Sequence, residues 1–554
     1  MKMIRIIASI VFGFSTIVAV AQSDLSKSLE NFNTLMYHID RLYVDSVDTD
    51  DVIEKAMVKV LEDLDPHSVY IPAKELKKME EPLVGNFEGV GIQFNILRDT
   101  IFVVATIAGG PSEKIGIKAG DKIIIVGNDT VAGIGIQNSD VMKYLRGDKG
   151  TVVQVGIKRK DVNELLQFNI TRDKIPLYSL DASYMATPDI GYIKLNRFSS
   201  TTVQEFTDAV EDLKKQGMKN LVLDLQGNGG GYLSAAVGLA DELLSNDKLL
   251  VYTEGRYYPK ETYNAKNKGC FEHGKLAVLV DESSASASEI VSGAIQDWDR
   301  GLIIGRRSFG KGLVQRPFPL PDGGAVRLTV SRYYTPSGRS IQKSYASGVE
   351  DYRLEKYERF ANGELVNADS ISIPDSLKYY TSTKRTVYGG GGILPDVFVP
   401  LDTNRRSEYF TQLIRKGIIY QFGINYVDDN RKKITKAHKT ANDFVANFEV
   451  DDKLLADLDE FAAKEGLKKG IINQDGKNKI DGATLVKKQQ EENEKISADK
   501  EVMALRLKAL IARNIWDSSA FYEAIAPLNE SLQKAIEVMS DNTFEKMKLA
   551  ENAY

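Results

Sequence analysis

The chain has 554 residues, 43% of them hydrophobic and 27% charged, with 72 Lys and Arg against 77 Asp and Glu and a net charge of −5. That apolar share supports buried cores and excludes a mostly disordered chain, and the near-balanced charge offers no basic face for nucleic acid. One cysteine, Cys270, excludes an internal disulfide, and four scattered histidines (His38, His67, His273, His438) argue against a multi-histidine metal site. No metal or cofactor is expected, and the length suggests about three or four domains.

Residues 1–21 read as a signal peptide. Lys2 and Arg5 form a positive start, Ile6 to Val18 an apolar stretch, and Ala19-Val20-Ala21 a cleavage signal. The apolar run is shorter than the roughly 20 residues that cross a bilayer. Export is therefore expected. A periplasmic location fits a chain without disulfides best, with an extracellular or membrane-associated one left open.

Residues 24–80 carry a helical apolar spacing, at Leu35, Ile39 and Leu42 and again at Ile53, Met57, Val60 and Leu61, with Pro66 closing the second helix. Residues 87–172 change to short Val- and Ile-rich runs punctuated by glycine: Val90–Phe94, Ile101–Ile107, Lys122–Val126 and Val152–Ile157. Gly89-Val90-Gly91-Ile92 and Gly110 to Asp121 stand out there. This stretch resembles a PDZ domain, whose glycine loop offers backbone N–H groups to a peptide's terminal carboxylate while the peptide adds as a strand.

From residue 173 to 400 strands and helices alternate, which argues for an α/β layer. Beyond Asp402 the chain is helical and charged, densest at Lys487–Glu501 and read as solvated helix surface. A calcium loop at Asn473–Asp481 is rejected, because Lys477 occupies a ligand position.

Three segments of the α/β layer carry candidate chemistry. Asp224 to Gly231 is a glycine turn between a strand and a helix, open to reading as a ligand cradle or a plain tight turn; it fails the dinucleotide pattern. Ser283 to Glu289 places small residues at a second such turn, where Ser286-x-x-Glu289 is equally a capping box. Gly305 to Lys311 fits a phosphate loop only until Gly312, which stands where the magnesium ligand should be. Lys311 and Gln315 share one face in a helix or a strand.

Together, in this order and with Leu64-Asp65-Pro66-His67-Ser68 ahead of them, these segments resemble the C-terminal processing peptidases (tail-specific proteases) over about residues 35–400. The resemblance implies a Ser–Lys endopeptidase with Ser286 as nucleophile, Lys311 as general base and Gln315 positioning that lysine. Backbone N–H groups of Gly230 and Ala287 would form the oxyanion hole, and Gly89, Val90, Gly91 and Ile92 the PDZ loop for apolar C-terminal tails. It also implies a multidomain α/β architecture: a helical N-terminal segment, the PDZ β-domain, a crotonase- or Clp-like core and a helical extension over 401–554. Removing the residues after about Asp402 is expected to leave the dyad chemically competent but to change assembly or substrate access.

One departure is Gln226, where the family usually has arginine, which puts a salt bridge in doubt. The physics of the dyad stands on its own terms. A lysine near its ordinary pKa of about 10.4 cannot take a serine proton at neutral pH, and burial lowers that value. A PDZ scaffold that binds tails without cutting them is the competing class. Protein substrates with apolar C-termini are the partners implied, with a homo-oligomer and an activating adaptor left open.

Overall fold

The computed structural model describes residues 25–547 and Leu549, apart from 108, 161, 246, 404, 405 and 471–481. The stretch 1–21, read above as a signal peptide, and the rejected calcium loop at 473–481 lie outside the described residues. Among the described residues no helix is long and apolar enough to cross a membrane. The chain forms two compact units.

The first unit joins the N-terminal residues up to Leu76 with Gln315–Thr329 and Tyr345–Tyr352. A helix over residues 25–42 is followed by Thr49–Glu62, capped by the Asp48 side chain on the Asp51 N–H. The spacing predicts helix alone here, yet Val69–Ile71 is a strand paired antiparallel with Ala325–Arg327. That pairing is set from some 250 residues away, so local periodicity could not report it.

The second unit holds everything else. Its β-domain is an antiparallel sheet in the order Ile92–Ile96, Ile101–Thr106, Lys122–Val126, Val152–Lys158, Leu166–Thr171, which leaves Ile92–Ile96 on an edge. Its core includes Val90, Ile101, Val103, Ile123, Val155 and Ile157. Asn86–Gly89 pairs with Asp173–Pro176, so the two ends of this domain leave it side by side.

The α/β layer is a six-stranded sheet: Leu180–Met185, Ile190–Leu195, Asn220–Asp224, Leu276–Val280, Leu302–Gly305 and Val397–Phe398. The first pair is antiparallel and the others parallel. Its strands are nearly continuous apolar runs because both faces are covered, as parallel sheets require. Ile193, Leu221, Leu223, Val278 and Ile303 face one core, with helices Thr202–Lys215, Leu233–Asp241 and Ala287–Asp297 against them. The alternate residues Tyr192, Val222, Ala277, Leu279 and Ile304 face a second core.

That second core is closed by Leu532, Ala535, Val538 and Met539 of helix Glu530–Ser540 and by Phe544. The C-terminal span is therefore two things. Residues from Glu408 to Ile525 pack mainly around a core of their own, with Leu413, Phe422, Phe444, Leu458 and Leu507, whereas those from Glu530 to Lys546 belong to the sheet. This corrects the expectation for the truncation: removing everything after Asp402 strips one face of the α/β sheet. Phe544→Ala alone is expected to cost about 3–5 kcal/mol, the usual range for emptying a buried aromatic site, measured by denaturant unfolding of the full chain.

Candidate active site

Strand Leu276–Val280 is wholly buried and runs into helix Ala287–Asp297 through a tight turn. Asp281 Oδ1 organises that turn, accepting from Ser283 N (2.9 Å), Ser284 N (3.1 Å) and Gly227 N (3.0 Å). The serines then separate by what they bond. Ser284 Oγ donates to the Leu225 carbonyl and Ser288 Oγ to the Asn228 carbonyl, each at 2.8 Å and fully buried. Ser283 Oγ accepts from Lys356 Nζ at 2.8 Å. Ser286 remains half-buried at φ 57° and ψ −112°. A side chain held in that sparsely populated region costs of order 1–3 kcal/mol and persists only where the surroundings enforce it. A strand-to-helix elbow of this kind can present a side-chain oxygen beside backbone N–H groups.

The glycine turn packs against this elbow. A Cβ on Gly230, whose φ is 99°, would stand 2.8 Å from Ser286 Cβ and 2.9 Å from Ala287 N, so only glycine fits. The Gly230 N–H donates to Asn228 Oδ1 at 2.9 Å. Its use as an oxyanion donor therefore needs Asn228 to release it. Ala287 opens the helix, where an unpaired N–H favours negative charge.

Asp224, at the strand end before the turn, is buried. Lys194 Nζ lies 3.2 Å from its carboxylate and also donates to the Gln226 carbonyl at 3.1 Å. The cation beside Asp224 thus comes from the neighbouring strand, while the Gln226 amide turns to Ser531 Oγ at 3.2 Å.

Lys311 follows strand Leu302–Gly305 in a turn fastened to the elbow by Glu289. This fully buried carboxylate accepts four hydrogen bonds: from Ser286 N (2.8 Å), Lys311 N (2.9 Å), Gly310 N (2.6 Å) and Ser308 Oγ (2.5 Å). Burial pushes its carboxyl up to about 7, against the opposing pull of those donors. On the carbonyl side, the Tyr333 hydroxyl reaches both the Ser286 oxygen, at 3.1 Å, and that of Lys311. The segments of Ser286 and Lys311 are thereby joined through their N–H groups and through their carbonyls. Lys311 itself is half-buried. Gln342 and Lys343 close the turn from the far side, through Gly312 N to Gln342 Oε1 (2.7 Å) and Lys343 N to Gly310 O (2.9 Å).

Gln315 lies in the first unit. Its amide donates to Thr329 Oγ1 at 3.2 Å, and Thr329 Oγ1 donates to Asp65 at 3.1 Å. Asp65 also accepts from His67 N and from the N–H and hydroxyl of Ser68, so the Leu-Asp-Pro-His-Ser stretch is a turn built on one buried carboxylate. The sequence marks Glu289 only as a helix cap and singles out neither Tyr333 nor Thr329. The Ser-x-x-Glu spacing was the one available sign of the first, and nothing local marks the other two.

In the β-domain, the carbonyls of Val90 and Gly91 are taken by Ser112 Oγ (2.6 Å) and Ile107 N (2.9 Å). Gly91, at φ 75°, is a position where a Cβ would meet Ile175 at 2.9 Å. The loop thus directs its carbonyls inward and lies at the start of the edge strand. Among the described residues no three potential ligands group to hold a metal ion.

The model of peptidase family S41 matches residues 189–351, and that of a family of unknown function matches 409–517. The chain is 36% identical over 340 residues to a carboxy-terminal-processing protease of Bartonella bacilliformis, covering 60% of this chain and 77% of the relative. It is 28% identical over 462 residues to the carboxy-terminal processing protease CtpB of Bacillus subtilis, covering 82% and 92%. Among solved structures, the photosystem II D1 C-terminal processing protease aligns over 67% of this chain and 92% of its own, at 27% identity and a TM-score of 0.34. The PDZ domain of a carboxy-terminal protease from Vibrio cholerae aligns over 17% and 99%, at 30% identity and a TM-score of 0.16. The chain belongs to the carboxy-terminal processing proteases, serine peptidases of family S41.

Proposed function

We propose that this chain is an exported endopeptidase that captures apolar protein C-termini on a PDZ domain, residues 87–172, and hydrolyses peptide bonds near the tail with a Ser286–Lys311 dyad. The observation that carries the proposal is the strained, half-buried Ser286 fastened to the backbone of Lys311 by Glu289 and Tyr333. In this reading the core over 173–400 is crotonase- or Clp-like, and the edge strand Ile92–Ile96 with the loop Gly89-Val90-Gly91-Ile92 receives the tail.

The reaction follows from these parts. Neutral Lys311 takes the Ser286 hydroxyl proton as the oxygen attacks the scissile carbonyl. The developing oxyanion is met by the Ala287 N–H and, once Asn228 lets go of it, the Gly230 N–H. The ammonium then protonates the departing amine, leaving an acyl-enzyme. A water, deprotonated by the same lysine, releases the new C-terminus and restores Ser286. Gln315 orients the lysine.

The test uses an unfolded protein bearing an apolar C-terminal tail, with products read by mass spectrometry. The wild type is expected to cut near the tail and Ser286→Ala to leave the substrate intact. Tail binding without cleavage by either protein would move the chain to a binding scaffold or one awaiting an adaptor. Cleavage surviving in Ser286→Ala would reject the nucleophile.

A further inference from the structure

Between helices Ile418–Ala437 and Asp452–Lys464 lies a cleft of about 760 Å³. Phe422, Tyr426 and Phe461 contribute its aromatic lining, with Phe422 ring centroids 6.3 Å from Tyr426 and 5.7 Å from Phe461. Acidic and basic side chains share the remainder of the lining: Asp457 and Glu460 together with Lys433 and Lys464, and Asn425 among them. Such a lining suits neither a polyanion nor a long apolar segment. Amides, mixed charges and ring faces together match the backbone and side chains of a polar polypeptide.

One lining residue comes from another domain. Arg98 stands in the turn immediately after the edge strand Ile92–Ile96. The helices of the cleft are fastened to that domain along the same end of its sheet. The Asn95 side-chain amide, on the edge strand, donates to the Tyr420 hydroxyl. Lys160 Nζ lies 2.7 Å from Asp429, and Arg98 lies 4.0 Å from Glu465. The cleft therefore opens beside the end of the edge strand.

We propose that this cleft is a second substrate subsite, taking the polar stretch of polypeptide upstream of the captured tail. The inference rests on the PDZ reading above. A tail whose carboxylate sits at Gly89–Ile92 pairs antiparallel with Ile92–Ile96, at about 3.4 Å per residue. From roughly the sixth residue before its end, the substrate passes Ile96 and reaches Arg98 and the cleft. The helical module matched to a family of unknown function thus reads what lies ahead of the tail, while the β-domain reads the tail itself.

The test is fluorescence anisotropy on full-length Ser286→Ala protein, which holds substrate uncut. One labelled peptide consists of an apolar tail of about five residues; the other carries the same tail behind about ten polar residues. The long peptide is expected to bind at least about tenfold tighter, as a second linked contact allows. Asn425→Lys with Asp457→Lys, both at exposed positions, should erase most of that gain and leave the short peptide unchanged. Equal affinity for the two peptides, or equal weakening of both by the double variant, overturns the subsite while the tail reading stands. Failure of the short peptide to bind overturns the tail reading, and this inference with it.

Discussion

Lys311→Ala is expected to slow peptide hydrolysis by about 10²–10⁴-fold, the range over which a positioned general base acts. Lys311→Arg should be as slow as the alanine variant. A guanidinium keeps the positive charge but does not give up its proton in a protein, so it cannot receive one from Ser286. Were residue 311 needed only as a charge beside the substrate, arginine would retain most of the rate. The hydrogen bonds to Glu289 and from Tyr333 are made by the backbone of residue 311, and neither substitution removes them. Both variants should therefore keep the turn. Steady-state cleavage of a tail-bearing substrate, with circular dichroism as the fold control, separates the cases.

Glu289→Gln is expected to reduce turnover by about 10–100-fold, equivalent to losing one charge-assisted hydrogen bond worth roughly 1.5–3 kcal/mol. The carboxylate accepts on both oxygens from four donors. An amide turns one of those oxygens into an N–H group, which must face a donor. The pH dependence carries a second signature. Burial holds the Glu289 carboxyl up to about 7, above the 4.5 of an unfolded chain, so the native state keeps a proton that the unfolded state has lost. Stability from this group is fully present below about 4.5 and declines as pH rises to about 7, by about 3 kcal/mol. Denaturant unfolding at several pH values should show that slope in the wild type and not in Glu289→Gln. Activity should run the opposite way, rising through the same window as the carboxylate gains its full set of donors.

Much of the α/β layer was legible because its local signals agree. Ile190–Leu195, Asn220–Asp224 and Leu276–Val280 are largely apolar runs bounded by turn residues, and helices follow the second and third of them at the spacing an α/β layer needs. The strand-to-helix turn that carries Ser286 was legible through its small residues, which lie between an apolar run and a helical one. The devices that hold the site together were not. Glu289 looks like any helix cap until Ser308, Gly310 and Lys311 are folded onto it, and Tyr333 is one aromatic among many in a strand. Their roles exist only between segments, where no periodicity reports. The C-terminal span is helical as its pattern suggests, but what those helices pack against was hidden for a related reason. A helix stripe such as Leu532, Ala535, Val538 and Met539 announces that it will be buried, not what it will be buried against.

The closing of the sheet's second face by Glu530–Ser540 also bears on how the chain is made. The last strand of that sheet, Val397–Phe398, is synthesised about 130 residues before the helix that covers it. At about 5–20 residues per second, the completed sheet waits roughly 7–25 s with an apolar face open to solvent. The same interval is when a holdase would find the chain, and the apolar underside of the sheet is the surface it would grip.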